Sequence, residues 1–275
     1  MENKTESTTP GKWGEYVTVE FDEGIAWVTL NRPKQRNAIN PGIVWEMNAI
    51  MDALEEDDRC KVMVVTGAGE SFSAGMDLKE YFRATDKVPP IQRERLFRAN
   101  AAWQWRRMMY YPKPTISMIR GYCVGGGLGI ALGCDLRICA DNSRFALPAA
   151  KLGLGYGISG IQRFIEIVGP SFTKEFFFTA RQFDAEEARM MGLANRVVPL
   201  AELEDYVKKY AATIAANAPL TIEGTKFIVG EALKDESKRD LAACAAAVDR
   251  CFKSEDYKEG RRAFMEKRKP VFNGN

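Results

Sequence analysis

Apolar positions along this chain follow two rhythms, and the change from one to the other marks the elements. Short runs rich in β-branched residues, Val17–Glu20 and Ile25–Leu30, flank Asp22-Glu23-Gly24. That polar, glycine-ended spacer predicts a turn, so the chain opens with a hairpin. Behind Asn40-Pro41 the spacing becomes helical: asparagine offers a side-chain acceptor to a first turn, proline suits the first helical position, and Ile43, Met47, Ile50 and Leu54 recur on one face. Lys61–Thr66 reads as a buried strand and ends in Gly67-Ala68-Gly69; Pro90–Tyr110 reads as helix; Thr115–Ile119 and Leu136–Ala140 read as further buried strands. Between these last two, Leu128–Gly133 is apolar throughout and fits strand or helix by periodicity, but its place between strands predicts a buried crossover helix. Buried strands joined by helices pair in parallel, which predicts an α/β fold.

After Pro199 the β-branched clusters stop, and helices are expected over Leu200–Asn217, Pro219–Leu233 and Lys238–Phe252. The chain therefore divides into a polar tail (1–11), an α/β core (12–199) and a C-terminal helical region (200–275).

Composition narrows the chemistry. With 275 residues, 46% of them apolar, the chain can bury a large core of its own. Its 39 basic and 37 acidic residues leave a formal charge of +2, so no global field draws it to nucleic acid or to a membrane, and a small neutral or anionic ligand is the expected partner. No apolar run reaches eighteen residues and the first eleven residues lack the apolar stretch of a secretion signal, so a cytoplasmic protein is expected. The six cysteines show no CxxC spacing and several stand in apolar runs, which predicts buried, reduced thiols. There is no histidine. Imidazole is thereby absent as a general base, as the partner of a nucleophile and as a zinc ligand, and no metal site is expected.

Two segments carry candidate chemistry. Gly121-Tyr-Cys-Val-Gly125-Gly126-Gly127 stands after a strand and before a helix, where uncovered backbone amides at the positive end of a helix dipole suit an oxyanion; a phosphate or a plain tight turn would suit it too. It does not have GxGxxG spacing. Phe72-Ser-Ala-Gly-Met-Asp-Leu-Lys-Glu-Tyr81 follows the Lys61–Thr66 strand, and loops after parallel strands form binding crevices. Asp77 there also reads as a simple helix cap.

Together with Leu30-Asn-Arg-Pro-Lys-Gln-Arg-Asn-Ala38, Cys134-Asp135, Met191-Gly-Leu193 and Glu259-Gly-Arg-Arg-Ala-Phe-Met-Glu-Lys-Arg-Lys269, these segments resemble the crotonase (enoyl-CoA hydratase/isomerase) superfamily over nearly the whole chain. The resemblance implies a spiral of ββα units with a helical C-terminal region that builds a homotrimer or a dimer of trimers. It implies an acyl-CoA thioester as substrate, with coenzyme A as part of the substrate and no tightly bound cofactor. The oxyanion hole would be the amides of Met76 and Gly126; Ala74, Gly75, Met76, Asp77, Leu78 and Lys79 would hold the adenine and pantetheine, and Lys34 and Arg36 are candidates for the CoA phosphates.

Within the superfamily the first half resembles the hydroxycinnamoyl-CoA (feruloyl-CoA) hydratase-lyases through Phe21-Asp-Glu-Gly-Ile-Ala-Trp27, Thr66–Arg83 and Trp103-Gln-Trp105; Tyr81 matches the tyrosine that binds the substrate phenol. The second half departs. Where typical hydratases carry two catalytic glutamates, this chain has Gly129 and Ala149, and Glu80 is the closest remaining carboxylate in sequence. Phe145–Tyr156, Lys174–Ala180 and Ser254–Gly260 resemble methylmalonyl-CoA decarboxylase-type members, in which a tyrosine matching Tyr156 orients the substrate carboxylate. The expected function is thus a lyase acting on an aromatic or cyclic acyl-CoA through a thioester enolate. A malonyl-type decarboxylase and a non-catalytic acyl-CoA-binding homologue are the alternatives.

Overall fold

The computed structural model describes residues 14–85, 89 and 107–275. The opening alternation gives β1 (Val17–Asp22) and β2 (Ile25–Leu30), paired antiparallel with Val17 opposite Leu30 and Asp22 opposite Ile25. Glu23 and Gly24 both take positive φ, 47° and 88°, as a tight two-residue hairpin turn requires. The Asn40 side chain accepts from the Ile43 amide at 2.9 Å and starts α1 (Pro41–Glu56), which buries Ile43, Met47, Ile50 and Leu54.

One pattern then repeats: a strand of a large sheet, a short strand of a small sheet, a helix. After β3 (Val62–Gly67) and α2 (Leu78–Thr85) come β4 (Thr115–Ile119), β5 (Tyr122–Val124) and α3 (Gly126–Gly133), then β6 (Leu136–Ala140), β7 (Arg144–Ala146) and α4 (Ile158–Thr179), the last broken at Gly169 ahead of Pro170. β8 (Gln182–Asp184), α5 (Ala185–Met190) and β9 (Arg196–Val198) follow. The large sheet has the order β1-β2-β3-β4-β6-β9, parallel beyond the hairpin, and the small one the order β5-β7-β8. The crossover at Leu128–Gly133 is a helix, buried from Gly127 to its end. The expected Pro90–Tyr110 helix lies outside the described residues except at its end.

Both faces of the large sheet are covered, which is why β3 is buried at every position. Met63 and Val65 pack with α1, α3 and α4, while Val62 and Val64 pack against α6 (Leu203–Ala215) through Leu203, Val207 and Ala211. The boundary expected at Pro199 therefore does not separate two layers, because the sheet uses the first helix beyond it as its second cover. α7 (Pro219–Ala232), α8 (Leu241–Lys253) and α9 (Glu255–Glu266) complete the described chain. Four helices, not three, follow Pro199: Ser254 ends α8 and its hydroxyl accepts from the Tyr257 amide at 3.0 Å, capping the highly charged α9.

The six cysteines are all free, four of them buried. Burial pushes the Cys60 thiol up to about 11 and those of Cys134 and Cys139 to about 12, so these remain protonated and unreactive near neutrality. Among the described residues no helix is long and apolar enough to cross a membrane.

Candidate active site

Two backbone segments meet beside β5, and Ser73 joins them. Its amide donates to the Tyr122 carbonyl at 2.9 Å and its carbonyl accepts from the Val124 amide at 3.0 Å, making residue 73 a parallel neighbour of β5. On the far side the Ala74 amide donates to the Arg36 carbonyl (2.8 Å), the Gly75 carbonyl accepts from the Ile39 amide (2.7 Å), and the Asp77 amide donates to the Ile39 carbonyl (2.8 Å). The buried Ser73 hydroxyl donates to the Asn37 carbonyl at 2.8 Å and accepts from the Gly75 amide at 3.1 Å. Every amide from Ser73 to Asp77 is thus used except that of Met76, which donates to no group among the described residues.

Across from it, the Gly125 amide donates to the Ala146 carbonyl of β7 at 2.9 Å, and Gly126 opens α3. The first amides of a helix have no partner within it, and that of Gly126 finds none elsewhere among the described residues. Glycine is what lets these segments touch. Gly75 (φ 92°) and Gly125 (φ 53°) take conformations that side chains resist; a methyl group on Gly75 would stand 2.7 Å from the Val124 carbonyl oxygen and 3.1 Å from the Gly126 nitrogen. One on Gly127 would meet the Ser73 Cβ at 2.6 Å. Two spare amides on rigid, adjoining backbone are therefore available to an oxygen that gains negative charge.

Arg32 controls the charge around this pair. Its guanidinium donates to the Ala38 carbonyl (2.6 Å), to Asp77 (3.1 Å) and to Glu80 (2.8 Å). Asp77 in addition accepts from the Glu80 amide at 3.1 Å, so its capping role is real, and the Tyr81 amide donates to the Asp77 carbonyl at 2.8 Å. Glu80, expected from its place in the sequence to be an available carboxylate, is committed to Arg32.

The remaining predicted residues fall around these loops. Lys34 is exposed in a short 3-10 turn (Pro33–Gln35), and the exposed Arg36 places its guanidinium 5.1 Å from the Tyr122 ring centroid while its carbonyl holds Ala74. Leu78 and Tyr81 are half-buried and Lys79 is exposed. Gly129 sits one turn into α3, its amide donating to the Gly125 carbonyl at 3.0 Å, and Ala149 is buried in the 3-10 turn (Pro148–Leu152) that follows β7; neither carries a group able to move a proton. Tyr156, before α4, packs edge-to-face on Phe177 at 5.1 Å. Burial raises its phenol pKa, and its hydroxyl bonds to nothing else among the described residues. It reaches α3 through the shared core, not through a hydrogen bond to either loop. Trp103-Gln-Trp105 lies outside the described residues.

The sequence reading missed three residues that shape the site: Arg32, Asn37 and Ser73. Asn37, wholly buried at φ 54°, accepts from the Arg32 amide (2.9 Å) and donates to the Ala68 (2.9 Å) and Ser71 (2.7 Å) carbonyls, tying together the two segments that flank the glycine loop. Asparagine tolerates the left-handed region better than most residues, but that signal alone does not tell a buried cross-link from a surface turn.

The sequence profile of the family described as enoyl-CoA hydratase/isomerase matches residues 20–275. The chain is 40% identical over 220 residues to a hydroxycinnamoyl-CoA hydratase-lyase of Pseudomonas fluorescens, covering 80% of this chain and 79% of that protein. It is 36% identical over 254 residues to a short-chain-enoyl-CoA hydratase of Clostridium acetobutylicum, covering 92% and 95%. A crystal structure described as an enoyl-CoA hydratase/carnithine racemase from Magnetospirillum magneticum superposes with a TM-score of 0.87 at 29% identity, over 96% of this chain and 97% of that one.

The loop contact yields a paired stability test. Gly75→Ala combines a positive φ with a backbone clash and is expected to lower the unfolding free energy by about 2–4 kcal/mol, against about 1 kcal/mol for Gly153→Ala, where φ is 64° but nothing lies within 4 Å. Urea unfolding of both variants measures the difference; equal losses would contradict the close approach.

Proposed function

We infer that this chain, which belongs to the enoyl-CoA hydratase/isomerase family and has the crotonase fold, is a lyase acting on an aromatic, hydroxycinnamoyl-type acyl-CoA. It is an acyl-CoA enzyme of that superfamily; the acyl group and the reaction are our reading. The observation that carries the reading is the pair of amides, Met76 and Gly126, that are unused among the described residues, on two loops in backbone contact. A thioester oxygen between them would gain about 3–4 kcal/mol from each donor as it takes on enolate charge, and this needs no imidazole. The chain from Ala74 to Lys79 would lie along the CoA moiety, with Lys34 and Arg36 beside its phosphates.

With glycine at 129 and alanine at 149, the proton transfers that two carboxylates supply in typical hydratases fall to the substrate and to tyrosine. A para-hydroxyl on the acyl group meets that need: as it gives up its proton its electron pair moves through the ring to form a quinone methide while Cα takes up a proton, and water then adds at the β-carbon with loss of one proton, returning the pair to the phenol oxygen, which is reprotonated. Loss of the new β-hydroxyl's proton with cleavage of the Cα–Cβ bond then releases an aromatic aldehyde, and the pair from that bond becomes the thioester enolate, which is protonated at Cα to acetyl-CoA. Tyr81 is assigned to the substrate phenol. The 40% identity to a hydroxycinnamoyl-CoA hydratase-lyase supports this choice of acyl group. A second reading is favoured by Tyr156: a neutral phenol with no hydrogen-bond partner among the described residues, beside a ring and without a carboxylate at Ala149, suits orientation of a malonyl-type carboxylate whose loss as CO₂ needs no base.

Exposed apolar side chains on the C-terminal helices, among them Leu241, Phe252, Phe264 and Met265, support assembly into a homotrimer or a dimer of trimers. Light scattering is expected to give at least three times the 30.8 kDa chain mass, and a monomer at micromolar concentration would contradict it.

Mass spectrometry of reactions with feruloyl-, coumaroyl-, crotonyl- and methylmalonyl-CoA tests the reading. Cleavage of the first two is expected, with crotonyl-CoA hydrated at least 100-fold more slowly, because each general acid or base contributes about 10²–10⁴-fold. Gly126→Pro, which removes one donor, should abolish turnover while the protein stays folded. Rapid crotonyl-CoA hydration would overturn the substrate assignment, decarboxylation of methylmalonyl-CoA would select the second reading, and inertness toward all four would leave an acyl-CoA-binding protein.

A further inference from the structure

The helix that begins at Gly126 ends against one buried and one half-buried guanidinium group, Arg137 and Arg163, which have no part in the proposed chemistry. α3 is eight residues long, about 12 Å, with no charged or polar side chain. Its last carbonyls have no partners within the helix. Arg137, the second residue of β6 and 5% exposed, donates to the Ala131 carbonyl (3.5 Å) and the Cys134 carbonyl (2.9 Å). Arg163, on the first turns of α4, donates to the Leu132 carbonyl at 2.8 Å.

The two cations differ in how they are balanced. Arg163 pairs with Glu166 at 3.3 Å. Arg137 forms no ion pair among the described residues: its other bonds go to the Leu193 carbonyl (2.6 Å) and the Asn195 side chain (3.4 Å). Burial, with Arg163 as the next cause, lowers its pKa to about 10, so the group still carries its charge at neutral pH. An unpaired buried cation opposes folding, and a neutral donor could satisfy carbonyls at lower cost. What only a cation does here is cancel the negative end of the α3 dipole and leave the positive end, at the Gly126 amide, uncompensated.

We propose that Arg137, assisted by Arg163, is a positioning residue for the oxyanion site: it fixes the carbonyl end of α3 and sets a positive charge behind its amide end, strengthening polarisation of an oxygen held at Gly126. This rests on the assignment of Met76 and Gly126 as the oxyanion donors.

The test reads the field at the oxygen without turnover. 4-Dimethylaminocinnamoyl-CoA absorbs at a wavelength that reports polarisation of its thioester carbonyl, and binding to the wild-type protein is expected to shift the band to the red. Arg137→Lys, which keeps the charge with fewer donors, is expected to retain most of the shift. Arg137→Gln, which keeps donors and loses the charge, is expected to lose at least half of it and to lower turnover of whichever thioester the wild type accepts by about tenfold, with KM changed less than twofold. Arg163→Gln, at the more accessible site, should reduce the shift by a smaller amount and serves alone if Arg137→Gln does not fold. The full red shift in the folded glutamine variants, or equal loss in the lysine and glutamine variants, would overturn the proposal. No shift in the wild type would overturn the oxyanion assignment on which it rests.

Discussion

The contact between the Ser73–Met76 segment and the Val124–Gly127 turn is the constraint on which the rest of the site depends. Two stretches of backbone approach until Gly75 has no room for a Cβ, and that closeness is possible only because Gly75, Gly125 and Gly127 carry no side chains. Hydrogen bonding then decides which amides are left over. Ser73 engages β5 with its backbone and the Asn37 carbonyl with its hydroxyl, while Ala74, Gly75 and Asp77 are each bonded, so among the described residues the Met76 amide is the spare one of its segment. The helix rule supplies the second, at Gly126. Spare donors on covered backbone are already oriented before a ligand arrives, so charge that develops between them meets dipoles that need no rearrangement.

A histidine-free chain must place charge by other means, and here arginine does it. Arg32 collects the carboxylates of Asp77 and Glu80, which keeps negative charge beside the Met76 amide bound to a counterion. Arg137 and Arg163 sit at the opposite end of α3. The site is thus bracketed by guanidinium groups, each fixed by backbone carbonyls as well as by any carboxylate it meets. Guanidinium groups fix charge in this way but, staying protonated near neutral pH, offer little for moving protons.

The parts of the fold that were legible in the sequence are those whose cause is local or periodic. Val62 and Val64 serve one core and Met63 and Val65 the other, so a strand buried on both faces appears as an unbroken apolar run. Asn40-Pro41 announces α1 because cap and first turn lie within four residues. By contrast β5, β7 and β8 have three residues each and owe their pairing to neighbours, leaving no period to detect. α9 is too charged to show an apolar stripe, and the cover that α6 provides to the sheet depends on tertiary packing past Pro199. The glycine loops of the site stood out by composition. The rest was hidden by sequence distance: Ser73 reaches Asn37 across 36 residues and Arg32 reaches Glu80 across 48, and no local rule connects them.

The central claim, that the Met76 and Gly126 amides together receive an acyl oxygen, is tested most directly by a crystal structure of the protein with an unreactive acyl-CoA. The account predicts the thioester oxygen within about 2.7–3.1 Å of both amide nitrogens. A bound thioester whose oxygen faces solvent, or meets side chains in place of these two amides, would contradict it.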